Sequence, residues 1–140
     1  MPPQNMINTV SDDKFANIRT IKKLSELNET IKNHSFIIID FTMARCPPCH
    51  AIAPVFSKML DDRLNDESFQ KASPVPNLVA LKIDIRQCEP LIPQYYGVTA
   101  TPTFAFIKNG KEVIILYIQK FIIDNNLISI KKKKKLNNKI

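Results

Sequence analysis

The chain has no tryptophan, only two glycines and only three cysteines in its 140 residues. Three cysteines are too few for the disulfide framework of a small secreted domain, and the odd number points to a reducing compartment. No apolar run approaches the ~18 residues of a membrane-spanning helix. The opening Met1-Pro2-Pro3-Gln4-Asn5 has neither a basic n-region nor an apolar h-region, so no signal peptide is expected. Acid is missing from residues 131–140, which hold six of the 20 basic residues; the rest has 14 basic against 13 acidic residues. The net charge of +7 therefore belongs to one terminal stretch and not to a domain surface that would grip nucleic acid. A single cytoplasmic domain, long enough to bury a core, is the expectation.

With glycine so scarce, each one marks a position the backbone needs. Gly97 follows a short segment broken by Pro90 and Pro93, where a helix ends on a left-handed residue. Asn109-Gly110 lies between two apolar runs, Thr103–Ile107 and Val113–Ile118, which is a strong hairpin signal. Upstream, residues 17–21 alternate as a first strand. Leu24, Leu27 and Ile31 then fall on one face of a helix ending near Asn33-His34. Phe36–Phe41 is almost wholly apolar and reads as a buried central strand, as does Asn77–Ile85. Between them a helix is predicted from about Cys46 into the low sixties, carrying Ile52, Val55, Phe56, Met59, Leu60 and Leu64, with a kink at Pro54. Asp61–Pro76 reads as the helix end and a long loop. Strands and helices that alternate, followed by a hairpin, imply an α/β domain with a mixed sheet.

The pattern centres on Cys46-Pro47-Pro48-Cys49. Two thiols one helical turn apart can close on each other, which makes the pair a candidate two-electron switch between dithiol and disulfide. The preceding strand delivers Cys46 to a helix N-terminus, where unpaired N–H groups and the helix dipole favour a thiolate. Two other uses of the cysteines compete. Cys46-x-x-Cys49-His50 is also a haem-attachment pattern, which needs an export compartment and a second axial ligand, neither of them indicated. A zinc site needs four ligands, and three scattered cysteines with His34 and His50 lack that spacing. No metal or cofactor is therefore expected.

Residues 40–54, Asp-Phe-Thr-Met-Ala-Arg-Cys-Pro-Pro-Cys-His-Ala-Ile-Ala-Pro, resemble the active-site segment of thioredoxins. Tyr96-Gly97-Val98-Thr99-Ala100-Thr101-Pro102-Thr103-Phe104 resembles the segment that carries that family's cis-proline, and Lys108-Asn109-Gly110 its hairpin. The wording is most like the thioredoxin domain of the eukaryotic thioredoxin-like protein that also bears a proteasome-interacting domain. The resemblance spans residues 17–118, with extra loop residues around 65–76; residues 1–16 are left as a loose leader and 119–140 as an atypical basic tail.

The resemblance implies a thioredoxin fold, a mixed central sheet flanked by helices. It implies a thiol–disulfide oxidoreductase that reduces protein disulfides and draws electrons from a thioredoxin-reductase-like donor, acting as a monomer. Cys46, at the exposed start of the helix, would attack the substrate disulfide and Cys49 would resolve the mixed disulfide. Asp40, buried beneath them with a raised pKa, would take the proton from Cys49. A cis Thr101–Pro102 bond would present the Thr101 backbone to an extended substrate segment, with Arg45, Pro47 and Pro48 completing the contact surface.

The chain departs from the family in four places. Arg45 stands where most members have tryptophan, Pro47 replaces the usual glycine, and no glycine occurs near Ile118-Gln119. The terminal helix is poorly written, although Ile123, Leu127 and Ile130 keep one helical stripe; without that helix one sheet face lies exposed. These departures keep a second reading open, a docking module with weak or lost redox turnover, for example beside the proteasome. Cys88 reads as a regulatory thiol or as a small half-buried residue. The run Lys131–Lys135 reads as a nucleic-acid, nuclear-import or membrane-surface signal, or as a solvated tail.

Overall fold

A run of Phe and Ile holding a single carboxylate has no stable place at a solvated edge, and in the computed structural model Phe36–Thr42 forms the central strand β2. The structure describes residues 18–64, 66, 67, 78–122 and 127–137; the leader and most of the 65–77 loop lie outside them. Around β2 the chain runs β1 (Ile18–Thr20), α1 (Leu24–Asn33), β2, α2 (Pro47–Leu64), β3 (Leu78–Asp84), α3 (Leu91–Tyr95), β4 (Thr103–Lys108), β5 (Glu112–Ile122) and β6 (Leu127–Asn137). The sheet order is β1-β3-β2-β4-β5-β6. β3 runs parallel to β1 and β2, while β4, β5 and β6 each run antiparallel to the strand before them in the sheet. This is the mixed sheet expected of alternating strands and helices followed by a hairpin.

One face of the sheet carries the main core. Ile37, Ile39 and Phe41 of β2 pack with Val79, Leu81 and Ile83, Ala105 and Ile107, and Val113 and Ile115, under Leu27 of α1 and Ile92 of α3. The start of α1 has no Ser, Thr, Asp or Asn to cap it. Two carboxylates take that role: Glu26 accepts the Lys23 N–H at 3.0 Å, and Glu89, from the turn before α3, accepts the Leu24 N–H at 2.8 Å. Negative groups at a helix N-terminus are favoured by its unpaired donors and dipole, so this contact also pins α3 against α1.

The other face is covered by α2, whose Phe56 ring lies 5.2 Å from that of Phe104. Pro54 sits inside this helix, as the sequence predicts. Away from Phe104 the cover thins: Ile38, Phe106, Ile114 and Leu116 are half-buried.

The predicted helical stripe of Ile123, Leu127 and Ile130 is not what the structure contains. Ile123 lies outside the described residues, and Leu127 and Ile130 lie on β6, paired antiparallel with β5. β-Branched residues lose rotamer freedom in a helix and suit a strand. Five successive lysines would also stack like charges at three- and four-residue spacing on a helix, each pair costing about 0.2–0.5 kcal/mol. β5 supplies an open, isoleucine-rich edge, and the terminal segment takes it; register shifts near Ile118 mark an irregular pairing.

Both glycines have positive φ, 64° at Gly97 and 68° at Gly110, and Asn109 joins the latter at 53°. Two successive left-handed residues with Lys111 N–H donating to the Lys108 carbonyl at 3.1 Å make the tight β4–β5 turn that matches strand twist. A Cβ on Gly110 would also meet Ile31 Cγ2 at 3.3 Å. Gly110→Ala is accordingly expected to lower stability by about 1–2 kcal/mol, read as a lower urea midpoint with an unchanged slope.

Candidate active site

The geometry of the site follows from β2 pairing with β4. Phe41 stands opposite Thr103, so the turn that leaves the C-terminal end of β2 and the loop that enters β4 meet at the same end of the sheet. The first brings Cys46 and Cys49, the second Thr101 and Pro102. Cys46 and Cys49 are joined in a disulfide, with Cα atoms 5.2 Å apart. Cys46 stands as the N-cap of α2: its carbonyl accepts the His50 N–H at 3.1 Å, and its Sγ accepts the Cys49 N–H at 3.3 Å. Pro47 and Pro48, with no N–H to lose, begin the helix where a missing donor costs nothing.

From the other side the Thr101–Pro102 peptide bond is cis. The Thr101 hydroxyl donates to Cys46 Sγ at 3.2 Å, and the Thr101 carbonyl oxygen lies 3.6 Å from the same sulfur. The loop is held in place twice: Thr103 Oγ1 donates to the Ala100 carbonyl at 2.6 Å and the Tyr117 hydroxyl to the Gly97 carbonyl at 2.9 Å. This packing corrects one expectation. Cys46 does not sit at an exposed helix start; it is 5% exposed against 3% for Cys49, because the 101–102 loop lies over it. What distinguishes the two sulfurs is the pair of donors aimed at Cys46.

Three comparisons with known proteins bear on this site. The thioredoxin family model matches residues 19–126. Among curated relatives, a thioredoxin-like protein of Fusarium culmorum is 32% identical over 99 residues, 70% of this chain and 73% of its own length. Thioredoxin H5 of Arabidopsis thaliana is 38% identical over 89 residues, 64% of this chain and 62% of its own. The chain belongs to the thioredoxin family. Solved structures agree on the fold: oxidised mitochondrial thioredoxin 3 of Saccharomyces cerevisiae superposes with a TM-score of 0.56 over 89% of this chain and 87% of its own, at 22% identity. With the family's cysteine pair intact, this thioredoxin is a thiol–disulfide oxidoreductase.

The remaining residues singled out in the sequence fall into two groups. Arg45 and Pro47 are exposed and Pro48 half-buried, on the turn and first helical positions beside the disulfide. Asp40 lies on β2, 6% exposed, with Oδ1 buried and unpaired among the described residues. Burial raises its pKa to about 6, against the opposing pull of Lys82, its neighbour across β3. Cys88 is a half-buried free thiol packed against the core, and burial raises its pKa, which suits a packing residue better than a reactive one. His50, weighed in the sequence only as a metal or haem ligand, has another use here. A carbonyl can only accept, so His50 Nε2–H donates to the Ala44 carbonyl at 2.6 Å and ties the turn before Cys46 to α2. Its position directly after Cys49 is the one sequence signal for this tie.

Asp40 makes a stability prediction with a definite sign. A carboxyl with a raised folded-state pKa binds more protons folded than unfolded, so stability is highest below about pH 4 on this group's account and falls as pH rises to about 6. Asp40→Asn removes that loss and is expected to raise the unfolding free energy at pH 8 by about 2–3 kcal/mol while changing it little at pH 4. Guanidinium unfolding at the two pH values checks it.

Proposed function

We propose that this thioredoxin reduces disulfides of protein substrates by a two-step exchange opened by Cys46. The observation that carries the reading is the asymmetry of the pair: two donors converge on Cys46 Sγ, from the Cys49 N–H and the Thr101 hydroxyl. Hydrogen bonds to the charged form favour it, so Cys46 is the sulfur set up to be a thiolate. In the first step the Cys46 thiolate attacks one substrate sulfur, forming a mixed disulfide while the second substrate sulfur leaves with the electron pair and is protonated. In the second, Cys49 loses its proton and attacks Cys46 Sγ. The Cys46–Cys49 disulfide forms and the substrate's remaining thiol is released. Two electrons pass to the substrate, and a thioredoxin-reductase-like partner returns them.

Asp40 is the base this reading assigns to the second step. A carboxyl with a pKa of about 6 is ionised at neutral pH yet basic enough to take a thiol proton. The cis Thr101–Pro102 loop, beside the sulfurs, supplies backbone groups for an extended substrate segment to pair with as an added strand; Arg45, Pro47 and Pro48 border that path. The protein works as a monomer in the cytoplasm. Among the described residues no helix is long and apolar enough to cross a membrane.

Reduction of insulin disulfides tests the proposal. Cys46→Ser is expected to drop turnover to the uncatalysed rate, while Cys49→Ser accumulates a mixed disulfide through Cys46, visible as a mass adduct. A wild-type protein no faster than Cys46→Ser would instead identify a docking module on a thioredoxin fold.

A further inference from the structure

Two large apolar side chains of α2 stay in solvent, Val55 at 46% and Met59 at 59% exposed, although the helix packs on the sheet. At about 100° per residue they share one flank, roughly a quarter-turn from the face that buries Ile52 and Leu60 and sets Phe56 on Phe104. Handedness fixes where that flank looks. α2 joins β2 to its parallel neighbour β3, and such a crossover is right-handed. Viewed along α2 from its first residue to its last, with the sheet beneath, β3 lies to the left and β4, β5 and β6 to the right. The right-handed turn of the helix puts Val55 and Met59 on the right as well. Below them, the sheet face that carries Phe104 continues through Phe106, Ile114 and Leu116, all half-buried. The result is a trough with α2 as its wall and β4 and β5 as its floor. β6 forms the far rim. There Lys133 stands opposite Leu116 and Lys135 opposite Ile114, on the face of the trough, while Lys132 and Lys134 pair with Tyr117 and Ile115 on the other face.

We propose that this trough is a docking site for a helix of a partner protein, amphipathic and acidic along one edge. Its width suits one helix. Packed helices run about 8–10 Å apart, and β6 lies two strand spacings, about 10 Å, from the β4 strand that α2 touches. A helix also satisfies its own backbone donors and acceptors, which an irregular segment laid on an apolar floor would leave unpaired. Charge then sets the orientation. On the α2 side, Lys58 and Asp62 neutralise each other at 3.1 Å. On the β6 side, Lys133 and Lys135 are like charges at neighbouring positions of one face. A helix lying here therefore meets positive charge along one edge only, and carboxylates on that edge are what complement it. No residue of the trough belongs to the Cys46 and Thr101–Pro102 site, so docking and thiol exchange are separable.

The experiment titrates the full-length protein into a fluorescein-labelled synthetic helix of about 18 residues, with leucines at three- and four-residue spacing and glutamates along one edge. Anisotropy should show saturable binding, and the same helix with lysines for glutamates should bind about tenfold more weakly. Val55→Ser with Met59→Ser removes the apolar wall and should weaken binding about tenfold. Lys133→Gln with Lys135→Gln should weaken it about threefold, whereas Lys132→Gln with Lys134→Gln, on the other face, should leave it unchanged. Circular dichroism checks that each variant folds, and Met59→Ser alone replaces the double serine variant if that one does not. An absence of saturable binding, equal binding of the two helices, or binding unchanged by the serine substitutions would overturn the proposal. Equal losses from the two lysine pairs would overturn it too, since they mark attraction to the charge run alone. A wild-type dimer in sedimentation velocity that the serine substitutions dissociate would assign the trough to a second copy of this chain, against the proposal.

Discussion

The antiparallel register of β2 against β4 is the constraint on which this molecule depends. With Phe41 opposite Thr103, the exit of one strand and the entry of the other are neighbours, and the Cys46–Cys49 disulfide and the cis Thr101–Pro102 bond lie on those two connections. A slip of one residue would turn every side chain of β2 to the opposite face. Asp40 would enter the core packed by Leu27 and Ile92, and Phe41 would leave it. The register is thus enforced by the burial of Ile37, Ile39 and Phe41, far more than by any contact between the site residues themselves.

From that constraint the chemistry of the site is built with few parts. Cys46 caps a helix whose first two residues are prolines, so the sulfur occupies a position where most helices place a hydroxyl or carboxylate. A loop fixed by Thr103 and Tyr117 covers it and adds a hydroxyl donor. The Asp40 carboxyl stands on the strand that leads to the pair, and burial raises its pKa to about 6.

The far side of the sheet shows how a fold can absorb a sequence that departs from its family. With the terminal segment paired on the β5 edge, Ile38, Phe106, Ile114 and Leu116 stay half-buried while α2 covers the rest of the face. The cost falls on a surface away from the cysteines, and the main core under α1 and α3 is complete.

Local chemistry by itself determined a good part of this protein. Two prolines and two cysteines in sequence dictate a redox-capable helix start, an Asn-Gly between apolar runs dictates a tight turn, and an unbroken apolar run dictates a buried strand. Each depends on neighbours in the chain, so each can be read in order. What only the tertiary structure decided are relations between residues far apart. Examples are the hydroxyl of Thr101 on a sulfur 55 positions away, Glu89 closing the start of α1, the cover that buries Cys46, and the choice of strand over helix for Leu127–Asn137. In the last case weak local preferences were nearly balanced, and an open sheet edge tipped them. A partner brought close only by folding leaves no mark on the residues beside it in sequence.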